Sequence, residues 1–264
     1  MTRARSIAAA QTIPIRGDVG ANLERHLQLV RAAAKEEAQV LVFPELSLTG
    51  YEMDLAWDLA FSPGDTRLAP LIDAAAACSM TLVVGAPVRT GPRLHIAAFI
   101  LFPDRAVDLY TKHHLGAFSN SASCDGIVPP AEATVFHPGD INPLVCFGAH
   151  TAAVAVCADT GRSSHPQAAA ARGATTYLAS MFVIPSEFER ETARLRSYAV
   201  RHTMAVVMAN YGGPSGGLAS AGRSAIWSEA GELLAQLDSS GAGIAVASET
   251  RAGWRARSIA LRTR

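Results

Sequence analysis

Short, uninterrupted apolar runs recur along this chain, and between most of them lies a stretch long enough for a helix. QVLVF (39–43), TLVVGAP (81–87), HIAAFILF (95–102), AAVAVC (152–157), TTYLA (175–179) and MAVVMAN (204–210) each read as a strand covered on both faces. A strand with one wet face alternates apolar and polar residues instead. ANLERHLQLVRAAAKEEA (21–38) sets Leu23, Leu27, Val30 and Ala34 on one face at helical spacing. Further helices fit 66–79, 165–172 and 187–203, and a first strand fits 6–11. Two hairpins vary the pattern, one turning at Pro-Asp-Arg within 93–112 and one at Glu-Ala-Gly within 221–237. This mixture predicts mixed sheets with helices on their outer faces. No repeat, low-complexity tract or Pro/Ser linker divides the 264 residues, so a single domain is expected.

Charge and cysteine usage narrow the partners. Lys+Arg 23 cancels Asp+Glu 23, which argues against a nucleic-acid groove or a polybasic membrane patch. No apolar run approaches the roughly 18 residues of a membrane span. The opening residues read as a strand rather than an export signal, so a cytoplasmic protein with reduced cysteines is expected. The cysteines at 78, 124, 146 and 157 form no CxxC pair, against a zinc ribbon or redox dithiol. Cys146 with His150, or Cys157 with His165, falls short of the three or four ligands zinc requires. The first strand is not followed by G-x-G-x-x-G, and no Walker-A sequence occurs, so neither a cofactor nor a metal is expected. With 17% charged residues against 49% hydrophobic, an apolar face remains to be covered. The small-residue helices at 165–172 and 187–203 are the candidates, which predicts a homodimer or larger homo-oligomer.

Three polar residues stand at ends of strands, where open α/β folds place their chemistry. Glu45 follows 39–43 and Pro44; Lys112 follows VDLYT (107–111); Cys157 closes 152–157. Taken singly, each has an ordinary reading as a loop glutamate, a surface lysine or an inert core thiol. GPSGG (213–217) satisfies the serine-hydrolase elbow G-x-S-x-G, but that fold needs a helix after Ser215 and a later histidine, and the last one is His202. A papain-like pairing of Cys157 with His113, His114 or His165 has no supporting signature. The longest irregular stretch, 116–131, has the length of a functional loop.

Taken together, FPELSLTGY (43–51), YTKHHL (110–115) and VAVCAD (154–159) resemble, in that order, the three catalytic contexts of the carbon–nitrogen hydrolase (nitrilase-like amidase) superfamily. IAAAQTIPIRGDVGANLERH (7–26) and PAEATVFHPGD (130–140) extend the resemblance from about residue 5 to 247, leaving 248–264 as a tail. The resemblance implies a four-layer α-β-β-α sandwich with two mixed sheets. It also implies a Glu-Lys-Cys hydrolase of a small amide, with Cys157 as nucleophile, Glu45 as general base and Lys112 on the oxyanion. Glu132 would position Lys112 and the substrate, and the Ala158 backbone N–H would be a second oxyanion donor. A nitrile or N-carbamoyl substrate for the same residues, or a non-catalytic scaffold that keeps the fold, are the alternatives. Tyr51, Met181, Phe182 and the 116–131 segment are the pocket candidates. The run after the nucleophile, CADTGRSSHPQ (157–167), departs from the CxDxxFPE of many members. The pocket wall beside Cys157 is therefore expected to be its own.

Overall fold

Each of the apolar runs becomes a strand, and the positions of its side chains explain why none shows polar spacing. The computed structural model describes residues 4–123 and 126–261. Its first half contains β1 (Ser6–Gln11), α1 (Val19–Lys35), β2 (Val40–Val42), α2 (Ala69–Cys78), β3 (Thr81–Thr90), β4 (Arg93–Leu101) and β5 (Val107–Thr111). Its second half contains β6 (Leu144–Phe147), β7 (His150–Val156), α3 (Ser164–Ala171), β8 (Thr176–Ser180), α4 (Phe188–His202), β9 (Ala205–Ala209), β10 (Ala225–Trp227), β11 (Leu233–Gln236), β12 (Ala242–Thr250) and β13 (Gly253–Leu261).

Two mixed sheets result. One runs β13-β12-β1-β2-β3-β4-β5 and the other β11-β10-β9-β8-β7-β6. β1, β2 and β3 pair in parallel, as do β7, β8 and β9, and antiparallel hairpins flank both triplets. Alternate residues of one strand enter different cores. Ile7 and Ala9 of β1 join Val154, Leu178 and Val207 between the sheets. Ala8 and Ala10 pack outward with Leu29 and Val30 of α1 and Leu71 of α2. On the far side Ala153, Tyr177 and Val206 pack against Leu195 and Tyr198 of α4. The order is thus helices, sheet, sheet, helices, and burial on both faces demands apolar residues at successive positions. Among the described residues no helix is long and apolar enough to cross a membrane.

Several details differ from the sequence expectation. The inward face of α1 carries Asn22, His26, Leu29, Val30 and Ala33, while Leu23 and Leu27 sit at its margin. The polar pair is tolerated because His26 bonds the Asn22 carbonyl through Nδ1 (2.7 Å) and Ser47 Oγ through Nε2 (2.9 Å), and stacks on Phe43. Residues 253–261, expected to trail from the core, pair along their length with β12 as β13. Its Arg255 and Arg257 hid the strand from a hydrophobic reading, yet charge is what an edge strand carries to resist further pairing.

Candidate active site

The ends of β2 and β5 in one sheet meet the ends of β7 and β8 in the other, and four candidate side chains converge there. Glu45 stands three residues beyond β2, Lys112 directly after β5 and Cys157 directly after β7. Glu132 opens a short 3-10 turn, Glu132–Thr134. Lys112 is fully buried, and its ammonium donates to Glu45 Oε1 at 2.6 Å and Glu132 Oε1 at 2.8 Å. Glu132 Oε1 also accepts from the Tyr51 hydroxyl (2.7 Å), and its Oε2 accepts from the Gly116 amide (2.7 Å). The other oxygen of Glu45, Oε2, is buried with no hydrogen-bond partner. The Cys157 thiol interacts with the Glu45 carboxyl and donates to the Phe182 carbonyl at 3.7 Å. Two carboxylates therefore share one cation, and one oxygen of Glu45 is left without a donor.

This arrangement sets the charge states. Burial, opposed by Lys112 and reinforced by the charge of Glu132, raises the Glu45 carboxyl to about 7. Burial works against the charge of Lys112, but the carboxylates of Glu45 and Glu132 outweigh it and hold the amine above its ordinary value. The Cys157 thiol is pushed up by burial and by Glu45, with Lys112 pulling the other way. The resting site holds a neutral thiol, a carboxyl able to exchange a proton near neutrality and a fixed ammonium.

Local structure aims these groups. Glu45 lies in a sharp turn in which Leu46 takes a φ of +52°, and the Tyr211 hydroxyl bonds the Glu45 carbonyl. The turn rests on Gly85 of β3, where a Cβ would come within 2.4 Å of the Leu46 nitrogen and 2.7 Å of the Pro44 oxygen. Cys157 has a φ of +44°, a left-handed conformation that costs a residue with a Cβ roughly 1–2 kcal/mol. It opens the 3-10 turn Cys157–Gly161, so the Ala158 amide stands at a helical N-terminus, where backbone donors have no partner within the helix. Thr160 Oγ1 bonds the Cys157 carbonyl (2.8 Å), and the Tyr198 hydroxyl bonds the Thr160 carbonyl (2.8 Å). Pro166 is the third residue of α3, where its missing N–H falls among the helix's four orphan donors.

A pocket of about 160 Å³ opens over Cys157. Tyr51, Met181 and Phe182 all line it, and the 116–131 segment contributes Gly116, Ala117 and Phe118. Tyr51, Phe118 and Phe182 form one aromatic wall, with ring centroids 5.1–5.6 Å apart. Glu187, Arg190, Glu191 and Arg194, at and just before the start of α4, add a charged side that the sequence reading did not anticipate. Within it Glu191 pairs with both Arg190 and Arg194, and Arg190 also pairs with Glu187. Cys124, in the same long segment, lies outside the described residues.

The rival motifs find other places. Ser215 accepts from the Tyr51 amide (2.8 Å) and donates to Glu52, so the G-x-S-x-G loop braces the pocket rim. His165 and His114 direct their ring nitrogens to Tyr110, Tyr177 and Asp159. The sequence reading missed what Asp159 does. Fully buried, it bonds backbone amides beside both Lys112 and Cys157, and the only trace in the sequence is the Asp of Cys-Ala-Asp.

Two face-to-face mixed sheets with helices outside them, and a thiol, carboxylate and ammonium where strand ends meet, define a carbon–nitrogen hydrolase. The chain belongs to that family: the carbon-nitrogen hydrolase model matches residues 6–257. It is 30% identical over 240 residues to the glutamine-dependent NAD(+) synthetase of Mycobacterium tuberculosis, covering 83% of this chain and 35% of that protein. The Mycobacterium leprae synthetase is 30% identical over 237 residues. The chain thus spans about a third of the length of the curated relatives it matches. Among solved structures it is similar to a mutant amidase from Nesterenkonia sp. AN1 in complex with butyramide, with 25% identity, a TM-score of 0.80, and 94% of this chain and 91% of that one covered. A glutamate mutant of the same amidase, carrying the acetamide moiety of fluoroacetamide at its active-site cysteine, matches with 25% identity and a TM-score of 0.80 over 94% of this chain and 90% of that one.

Proposed function

We propose that this enzyme hydrolyses the carbon–nitrogen bond of a small amide through a thioester on Cys157. The observation that carries the reading is the buried Glu45 carboxyl, raised to about 7, which interacts with the Cys157 thiol and keeps one oxygen, Oε2, free of other partners. Glu45 takes the thiol proton as Sγ attacks the amide carbon, because a resting thiol needs a base to become a nucleophile. The carbonyl oxygen becomes an oxyanion held by the Lys112 ammonium and the Ala158 N–H. Glu45 then passes the proton to the departing nitrogen, ammonia or an amine leaves, and the acyl group remains on sulfur. In the second half Glu45 takes a proton from water, the resulting hydroxide adds to the thioester, and the proton returns to sulfur as the carboxylic acid leaves. Glu132 keeps the ammonium aimed between the two carboxylates, and Tyr51, Met181 and Phe182 shape the acyl site. The butyramide and acetamide groups seen in the related amidase suit a pocket of this size.

The charged side of the pocket favours one refinement. An uncharged amide makes no use of Glu187, Arg190, Glu191 and Arg194, whereas an amide with a carboxylate and an ammonium at its far end matches both signs. Glutamine, on which the related synthetases depend by name, is such an amide.

A cytoplasmic location, where the thiol stays reduced, belongs to the same proposal, as does action by a single domain. So does self-association through the outer face of α3 and α4. The test is intact-mass spectrometry during turnover of butyramide and glutamine, with ammonia release followed in parallel. Wild-type protein is expected to show an acyl adduct on Cys157, and Cys157→Ala to show neither adduct nor turnover. A Cys157→Ala variant with near-normal rate would sink the mechanism, and a wild type inert toward every amide, nitrile and carbamoyl compound would favour a binding scaffold.

A further inference from the structure

One buried carboxylate that the proposed chemistry does not use is bonded to both halves of the site. Asp159 is fully buried two residues after the nucleophile. Its Oδ2 accepts from the Val156 amide (3.2 Å), immediately before Cys157, and from the Tyr110 hydroxyl (2.7 Å), two residues before Lys112. Its Oδ1 accepts from the amides of His113 (3.2 Å) and His114 (2.8 Å), the two residues after Lys112, and lies 3.0 Å from His114 Nδ1. Val156 ends a strand of the six-stranded sheet, and Tyr110 and Lys112 stand at the end of a strand of the seven-stranded sheet. One side chain therefore joins the two sheets where their functional groups meet.

The donors around it are ordered from behind. A carboxylate can only accept, so the single proton of the Tyr110 hydroxyl goes to Asp159. Tyr110 then accepts from His165 Nε2–H (3.0 Å), which leaves His165 Nδ1 to accept from the Tyr177 hydroxyl (2.9 Å). Burial holds His165 neutral, with its pKa lowered to about 4, as this sequence of donors requires. The chain runs from β8 through α3 to β5 and ends on Asp159.

We infer that Asp159 is a positioning residue that sets the separation between the Cys157 thiol and the Lys112 ammonium by clasping the backbone beside each. The inference rests on the roles proposed above for those two residues. An asparagine cannot replace the carboxylate. Its one oxygen serves either the histidine amides or Val156 and Tyr110, and its NH₂ then faces donors on the other side, so the clasp opens at one end whichever way the amide turns. Displacing a reacting group by about 1 Å is enough to lose roughly a hundredfold in rate without touching substrate affinity.

The test is Asp159→Asn, with kcat and KM for the wild type's best amide substrate and the rate of Cys157 alkylation by iodoacetamide. Circular dichroism confirms folding. Turnover is expected to fall about a hundredfold with KM within about threefold of wild type. Alkylation, which needs the thiol and Glu45 but not the oxyanion cation, is expected to fall less. A folded variant with wild-type kcat, or with its loss confined to KM, would overturn the inference. Should Asp159→Asn not fold, Tyr110→Phe removes one of the clasp's hydrogen bonds; a kcat loss at constant KM supports the inference, and an unchanged kcat overturns it. Failure of the underlying mechanism looks different, because Cys157→Ala would then retain turnover.

Discussion

At the scale of single residues, Lys112 carries the most weight, because one ammonium neutralises two buried carboxylates and is proposed to hold an oxyanion as well. A single oxyanion donor is typically worth about 3–4 kcal/mol, or roughly a hundred- to thousandfold in rate. Lys112→Gln is expected to lose turnover by that factor mainly in kcat, since the oxyanion carries its full charge only in the transition state. It also leaves Glu45 and Glu132 facing each other without a cation, at a cost to stability of about 3–5 kcal/mol. Steady-state kinetics together with urea denaturation check both: a change confined to KM would remove Lys112 from the oxyanion role. The pH profile belongs to the same residues. Glu45 takes a proton only when ionised, so with its carboxyl raised to about 7, chiefly by burial, kcat/KM should rise with pH through about 7 and level off above. The charge of Glu132 contributes to that rise, so in Glu132→Gln the acid limb should move to lower pH, whatever happens to the maximal rate. A limb that stays in place would assign it to another group.

At the scale of elements, the strands were legible and their support was not. β2, β3, β7, β8 and β9 are buried on both faces, so each is an unbroken apolar word in the sequence, and a polar residue at its end stands out. Glu45 and Cys157 stand out that way, whereas Lys112 follows β5, which is partly exposed and carries Asp108, and it was singled out by its strand-end position and its YTKHHL context. The polar face of α1 was invisible to periodicity because His26 is satisfied by Ser47, a partner on another element. Asp159 was invisible as a clasp because its partners are backbone amides, which leave no mark in side-chain identity. Gly85 belongs to the same group: in the sequence it is a glycine inside a strand, and in the fold it is the floor on which the Glu45 turn lies. Gly85→Ala puts a Cβ 2.4 Å from a backbone nitrogen, which no rotamer change relieves. It should destabilise the protein by about 1–3 kcal/mol, as overpacked cores do. Turnover should fall further than the stability loss alone accounts for, because the displaced backbone carries Glu45. Thermal denaturation alongside kcat separates the two effects, and wild-type values for both would show that the turn yields without consequence.

At the scale of the whole molecule, the pocket couples the inner seam of the two sheets to the outer helices. Cys157, the proposed nucleophile, directly follows β7, while the charged wall comes from the start of α4. The inward side of α4 carries Leu195, Tyr198 and Ala199, and its outward side presents Ala193, Ser197 and Val200, the last 56% exposed. α3 beside it exposes Ala168 and Ala171. Small side chains let two helical faces approach closely, and an isologous contact between copies covers the same patch twice. Self-association through α3 and α4 would therefore also hold the first turns of α4 against the pocket, so the oligomer and the charged wall should be coupled. Light scattering at micromolar concentration is expected to report a dimer or larger assembly. Val200→Glu, which buries a carboxylate in that contact, should shift the mass toward the monomer while circular dichroism stays unchanged. The variant should also raise KM for a charged amide more than for butyramide, because the wall that meets the charged end loses its backing while the acyl site does not. A wild-type monomer would reject the contact, and a dissociated variant with unchanged KM for both substrates would show that the wall stands without it.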